Sequence, residues 1–255
     1  MLEALSPLLL AWVACVILVA GLSQGALGFG FPFVATPLIA LASDMRTAII
    51  IVLLPTVGTI LVALFSSGPL NATLARFWMM PLYAIVGAAI GTWVFVSAPD
   101  APYTLMLALL TLFYLGVDRF GRTDWPLVRR HERAFAPLSG FTAGVFEGTA
   151  NIAAPPLIIF YLALGLAPAM LVQGLNICFL VGKTTQFAVL STRGGVGPDD
   201  WLATLPFVAC GMAGSLIGVR IRNRIDAQAF RVWVKRALFV IALGLLAQYV
   251  YLRLK

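Results

Sequence analysis

Two charged residues stand inside otherwise apolar runs of this chain: Glu147, in GVFEGTANIAAPP, and Lys183, in LVGKTTQ. An ionised side chain in such a setting costs on the order of a few kcal/mol, so it faces a cavity, pairs with a partner or sheds its charge. The carboxylate could carry a proton, or it could cap exposed amides at a helix N-terminus. The ammonium could attract an anion, snorkel to an interface or pair with Glu147. Thr184, Thr185 and Gln186 follow Lys183, and Asn176 precedes it by seven residues, on about the same helical face. Thr149 and Asn151 flank Glu147, while Gln24 and Gln173 are further buried amides. Each could contact a solute or bridge two helices. Gly28, Gly30 and Gly148 mark places where continuous helix is poorly supported and backbone amides come free.

Other chemistries find little support. His131 is the single histidine, and Cys15, Cys178 and Cys210 show no metal-ligand spacing. GKTT, at 182–185, ends like a nucleotide-binding loop, but Ile177 stands where that motif needs glycine. Zinc-protease, rhomboid-like and kinase motifs are absent from the sequence, so neither an enzyme nor a cofactor or metal centre is expected. Asp44 and Arg46 read as a local interfacial pair. Trp201, Trp233, Tyr249 and Tyr251 suit an aromatic belt at a membrane surface.

The elements that must carry these residues are set by hydropathy. Only 11% of the 255 residues are charged and 61% are hydrophobic, against roughly 25% charged in a soluble domain. Uncharged runs extend over 4–43, 47–75, 77–99 and 101–117. A hydrocarbon core about 30 Å thick needs about 20 apolar residues in a helix, and lipid forces each backbone to satisfy itself. The expectation is an all-α, polytopic integral membrane protein. The net charge of +7 has a local source, because Arg119, Arg122, Arg129, Arg130 and Arg133 crowd one loop and Arg220, Arg222 and Arg224 another. Such loops orient an inner membrane protein, and nucleic acid is not an expected partner. The first ten residues contain Glu3 and no Lys or Arg, so the positive region of a signal peptide is missing.

The sequence also repeats itself. ATPLIAL (35–41) recurs as APPLIIF (154–160), with Pro37 and Pro156 standing 119 residues apart. At the same offset Gly21 meets Gly140 and Gly25 meets Gly144, and further on GAAIG (87–91) meets GSLIG (214–218). Two homologous four-segment halves follow, over 1–117 and 135–255, joined by a basic loop at 118–134. The eight segments fall at about 8–41, 47–66, 77–97, 101–117, 135–164, 168–190, 201–219 and 233–252. The first of each half exceeds one crossing and is interrupted, by GALGFGFP and by GVFEGTANIAAPP. Gly lowers helix stability and Pro lacks an amide donor. Irregular backbone at membrane depth is tolerated only around protein or a water-filled cavity, so paired breaks point to a transport site. If each long segment crosses once, the halves run parallel; if each folds back, the halves are inverted and both basic loops share one side.

These paired breaks, the four-plus-four arrangement and the length resemble the TauE/SafE sulfite exporter family of bacterial membrane permeases, over about residues 8–252. The resemblance implies a secondary transporter in the bacterial inner membrane, moving a small sulfur-containing anion such as sulfite, a sulfonate or sulfoacetate. In that setting Lys183, Asn176, Gln24, Gln173, Thr149, Asn151, Gly28, Gly30 and Gly148 are the candidate solute contacts, and Glu147 the candidate proton carrier. A carrier or channel for another solute, including a metal cation, is the first rival. A non-transporting subunit that docks a partner protein is the second. Small residues in GAAIG and GSLIG permit close helix contact, within one chain or in a homodimer.

Overall fold

The computed structural model describes residues 6–120, 125–222, 224 and 227–254. Glu3, Arg122, Lys255 and the side chain of Arg119 lie outside the described residues. The described residues form helices and no strand, in the order α1 (Pro7–Leu27), α2 (Phe31–Ala42), α3 (Met45–Phe65), α4 (Asn71–Phe77), α5 (Met79–Ser97), α6 (Tyr103–Phe120), α7 (Pro126–Arg130), α8 (Glu132–Ala150), α9 (Ala154–Ala163), α10 (Pro168–Arg193), α11 (Pro198–Ile221) and α12 (Ala227–Leu254).

Both long segments break where the sequence predicts, at 28–30 between α1 and α2 and at 151–153 between α8 and α9. The short pieces α4 and α7 are not foreseen. Five helices are long and apolar enough to cross a membrane: Pro7–Leu27, Met45–Phe65, Met79–Ser97, Pro198–Ile221 and Val232–Tyr251. The two other helices that are long and fully described, α8 and α10, carry the buried charged residues Glu147 and Lys183. At 12 and 10 residues, α2 and α9 reach about 18 and 15 Å at 1.5 Å per residue, roughly half a hydrocarbon core. Ala42, at the end of α2, shares a surface cleft with Ser6, Leu8 and Trp12, so α2 runs back alongside α1. α9 likewise brings the Ala163 carbonyl to the Arg129 guanidinium, ahead of the start of α8.

Helix packing is reciprocal. α1 lies on α11, and α5 lies on α8, each pair parallel and each joined by glycines. A Cβ at Gly25 would overlap the backbone of Ser215 and Val219, and one at Gly218 that of Leu22 and Ala26. On the other pair, a Cβ at Gly144 would overlap Ala84 and Ala88, and one at Gly87 would overlap Phe141 and Val145. GAAIG and GSLIG thus make contacts within one chain. Such close approach is how membrane helices associate where water supplies no hydrophobic drive.

Two polar ends result. One gathers Asp44, Arg46, Asp100 and Tyr249 around a cleft, with Arg46 donating to the Gly194 carbonyl. At the other, Gln173 donates to the carbonyls of Ser67 and Pro69, and Arg76 pairs with Glu132 at 3.0 Å. Large apolar side chains cover the flanks, including Leu82, Val86 and Trp93 of α5, Leu205 and Ile217 of α11, and Trp233, Phe239 and Val240 of α12. A continuous apolar surface of this kind is a lipid-facing one. Trp233 and Tyr251 are exposed as an aromatic belt requires, but Trp201 is not. It is buried against Phe187, and its indole donates to Ser191 Oγ at 2.9 Å, because α10 and α11 close over it. Asp44 and Arg46 also separate: Asp44 caps α3 through the Thr47 amide at 2.9 Å while Arg46 reaches Gly194.

Candidate functional site

The first break is closed by its own amides. α1 ends at Gly28, whose φ of 83° lies in the left-handed region open to glycine, and its amide donates to the Gln24 carbonyl at 2.8 Å. The Gln24 side chain then turns back across the gap. Its Oε1 accepts from the Phe31 amide at 3.0 Å, capping the start of α2, and its Nε2 donates to Asn176 Oδ1 at 2.9 Å. Asn176 Nδ2 completes the set on the Gly28 carbonyl at 2.6 Å. Every side-chain polar atom of Gln24 and Asn176 has a partner, which rigidifies such a network.

The second break has the same frame and a different content. α8 ends at Asn151, the non-glycine residue with positive φ (62°) among those described, and its amide donates to the Glu147 carbonyl at 3.1 Å. Asn tolerates this conformation better than other side chains. Gln24 and Glu147 are therefore equivalent in place, each four residues before a left-handed residue that ends its helix. Measured from the seam glycines Gly25 and Gly144, α8 runs about one turn further than α1, and that extra turn carries Glu147.

Lys183 projects from α10 into this second break. Its ammonium donates to Asn151 Oδ1 and to Gln186 Oε1, the latter at 3.0 Å, and lies 2.5 Å from Glu147 Oε1. Lys183 is 0% and Glu147 1% exposed, so the ion pair is sealed from both ends of the molecule. Asn151 Nδ2 donates to Thr36 Oγ1 at 2.7 Å, tying α2 to the cluster, and Gln186 Nε2 donates to the Glu147 carbonyl at 3.2 Å. The carboxylate itself is poorly served: Oε1 meets the Lys183 ammonium, and Oε2 has no partner among the described residues. Gly182 makes the approach possible, since a Cβ there would lie 3.1 Å from Glu147 Cγ.

α10 thus joins both breaks, through Asn176 and Lys183 seven residues apart, or about 10 Å along the helix. The structure brings together Glu147, Lys183, Asn151 and Gln186 at one break, and Gln24, Asn176 and Gly28 at the other. It places the remaining candidates elsewhere. Gln173 accepts from Thr73 Oγ1 at 2.5 Å and holds the α3–α4 loop. Gly148 packs against Ala88 and Thr92 of α5, and the Thr149 hydroxyl bonds back to the Val145 carbonyl at 2.7 Å. Gly30, with φ of 121°, borders open space. Thr184 and Thr185 bond to carbonyls of their own helix. Backbone donors are scarcer than two broken helices suggest, because Pro155 and Pro156 open α9 and Gln24 already occupies the Phe31 amide. Thr36 is the residue that sequence reading misses; its one signal is a hydroxyl within the repeated motif, just before Pro37. Among the described residues, no three His, Cys, Asp or Glu side chains come together to hold a metal ion.

The family Sulfite exporter TauE/SafE matches residues 13–245. The chain belongs to that family. No curated protein and no solved structure matches it. As a TauE/SafE member it is a multi-pass membrane protein of a transporter family for sulfur-containing anions, and not of an enzyme family.

Proposed function

We propose that this TauE/SafE protein is a proton-coupled secondary transporter in which Lys183 is the counter-charge for a small sulfur-containing anion and Glu147 carries the proton. The observation that carries this reading is the sealed Lys183–Glu147 pair at the second break. With Glu147 ionised, Lys183 is neutralised from within. Protonation of Glu147 leaves an ammonium whose charge only an incoming anion can compensate, because an unpaired charge at membrane depth costs several kcal/mol. Anion and proton then enter together, and each leaves when the internal pair re-forms. Sulfite, a sulfonate and sulfoacetate share the compact oxyanion head that an ammonium and the amides of Asn151 and Gln186 can hold. A metal cation is disfavoured, since the ammonium 2.5 Å from Glu147 repels it.

The same reading takes the halves as inverted repeats, 1–117 and 135–255, each opening with a re-entrant hairpin. The return of α2 along α1 and the return of α9 toward Arg129 support it. It puts Arg129, Arg130, Arg133, Arg220, Arg222 and Arg224 at one end, which becomes the cytoplasmic face of a bacterial inner membrane under the positive-inside tendency. The test is flux of labelled sulfite, sulfoacetate, taurine and sulfate into liposomes holding this chain alone. Wild type should move at least one of them and Lys183→Ala none. Flux unaffected by Lys183→Ala would overturn the assignment, and a chain that moves no solute would favour a docking subunit.

A further inference from the structure

A cleft of about 390 Å³ opens at the basic end, at Arg222, and reaches inward to the first break. Its inner wall is Leu27 and Phe29 at the tip of the first hairpin and Val172 on α10, one turn before Asn176. Its sides are Leu162 and Leu171, with α9 and α10 converging there. Among the described residues, the charged one in the lining is Arg222, exposed at the end of α11. The cleft at the opposite end is of a different kind, lined by Asp44, Asp100, Arg46, Tyr103, Thr104 and Tyr249, where two carboxylates outnumber one guanidinium.

We infer that the Arg222 cleft is an organic-anion vestibule, in which the guanidinium takes the charged head and the apolar walls take a short hydrocarbon arm. The assignment rests on the reading of the chain as a sulfur-anion transporter and narrows it to small alkanesulfonates over inorganic sulfite. A strongly hydrated inorganic anion gains nothing from walls of Leu, Phe and Val and loses water to enter them. An alkanesulfonate keeps its head on a guanidinium, which matches oxyanions bidentately, and transfers each methylene out of water. The size falls within the range of small-molecule sites. The acidic lining of the far cleft repels anions, so capture is favoured from the basic end.

The test uses the detergent-purified full chain and the straight-chain sulfonates from methane- to butanesulfonate, measured by calorimetric binding and by competition against labelled flux in liposomes. Affinity is expected to rise about fourfold per added methylene, to fall about tenfold across the series in Arg222→Gln, and to recover in part in Arg222→Lys. Leu162→Ser should flatten the chain-length dependence while leaving the response to Arg222→Gln. Equal affinity at all lengths, or tighter binding of sulfite than of any alkanesulfonate, would overturn the inference. So would affinity that keeps climbing through octane- and decanesulfonate, the mark of a lipid-filled slot. Flux without chain-length dependence removes the vestibule and leaves the transport reading; length-dependent binding without flux does the reverse.

Discussion

At the scale of single residues, the decisive feature is that charge is conserved inside the protein even though no water reaches it. Removing one partner of a buried ion pair leaves the other uncompensated and costs about 3–5 kcal/mol. Lys183→Met should therefore lower the unfolding free energy in detergent by about that amount, and Lys183→Met with Glu147→Gln together should recover most of it. Simple additivity of the two changes in a double-mutant cycle would mean that the pair is not coupled. Asn151 offers a second expectation: Asn151→Gly keeps the left-handed helix end but frees Lys183 and Thr36, so it should fold and lose solute affinity, read by binding of the transported anion. An unaltered affinity would remove Asn151 from the site. Glu147 and Lys183 were legible in the sequence because charge in an apolar run has few explanations. That Gln24 seals the first break was not, since an amide in an apolar segment gives no sign of its partner, and Asn176 lies 152 residues away.

At the scale of elements, the breaks, the seams and α10 divide the work. Glycines bring α8 against α5 so closely that a side chain has no room, and overpacking a membrane helix contact costs about 1–3 kcal/mol or more. Gly144→Val and its counterpart Gly25→Val should each lower the melting temperature in detergent and reduce the yield of folded protein to similar degrees. A large effect at one and none at the other would contradict the reciprocal packing. Gly182→Val should act differently, moving Glu147 away from Lys183 and lowering solute flux more than stability. The breaks themselves were readable from Gly28, Gly30 and the prolines, yet their ends shifted by a turn between the halves. The seam glycines fix α8 relative to α5, but the helix end is fixed by Asn151, and a left-handed Asn is far less visible in sequence than a glycine. The short α4 and α7 escaped because pieces of 7 and 5 residues are too brief for hydrophobic periodicity to register.

At the scale of the whole molecule, α1 packs on α11 as α8 packs on α5, and the proposed repeat treats α1 and α8, and α11 and α5, as equivalent segments. Topology follows from whether the long segments fold back. Single cysteines at Ser66 and Ala167, in a background with Cys15, Cys178 and Cys210 replaced by alanine, should be labelled from the same side of the membrane by an impermeant reagent. Cysteines at Asp44 and Asp100 should be labelled from the other. Ser66 and Ala167 reacting from opposite sides would mean parallel halves and a different place for both breaks. The ends also differ in charge, one basic around Arg129 and Arg222 and the other carrying Asp44 and Asp100, and the proposed vestibule therefore predicts capture from the basic end. The account turns on one exchange, anion for carboxylate at Lys183, and proton movement reports it directly. With a pH-sensitive dye trapped in liposomes holding the wild-type chain, addition of the transported anion should acidify the lumen by about one proton per anion, while Glu147→Gln should move the anion without acidification. Anion flux in the wild type with no pH change, or acidification undiminished in Glu147→Gln, would contradict it.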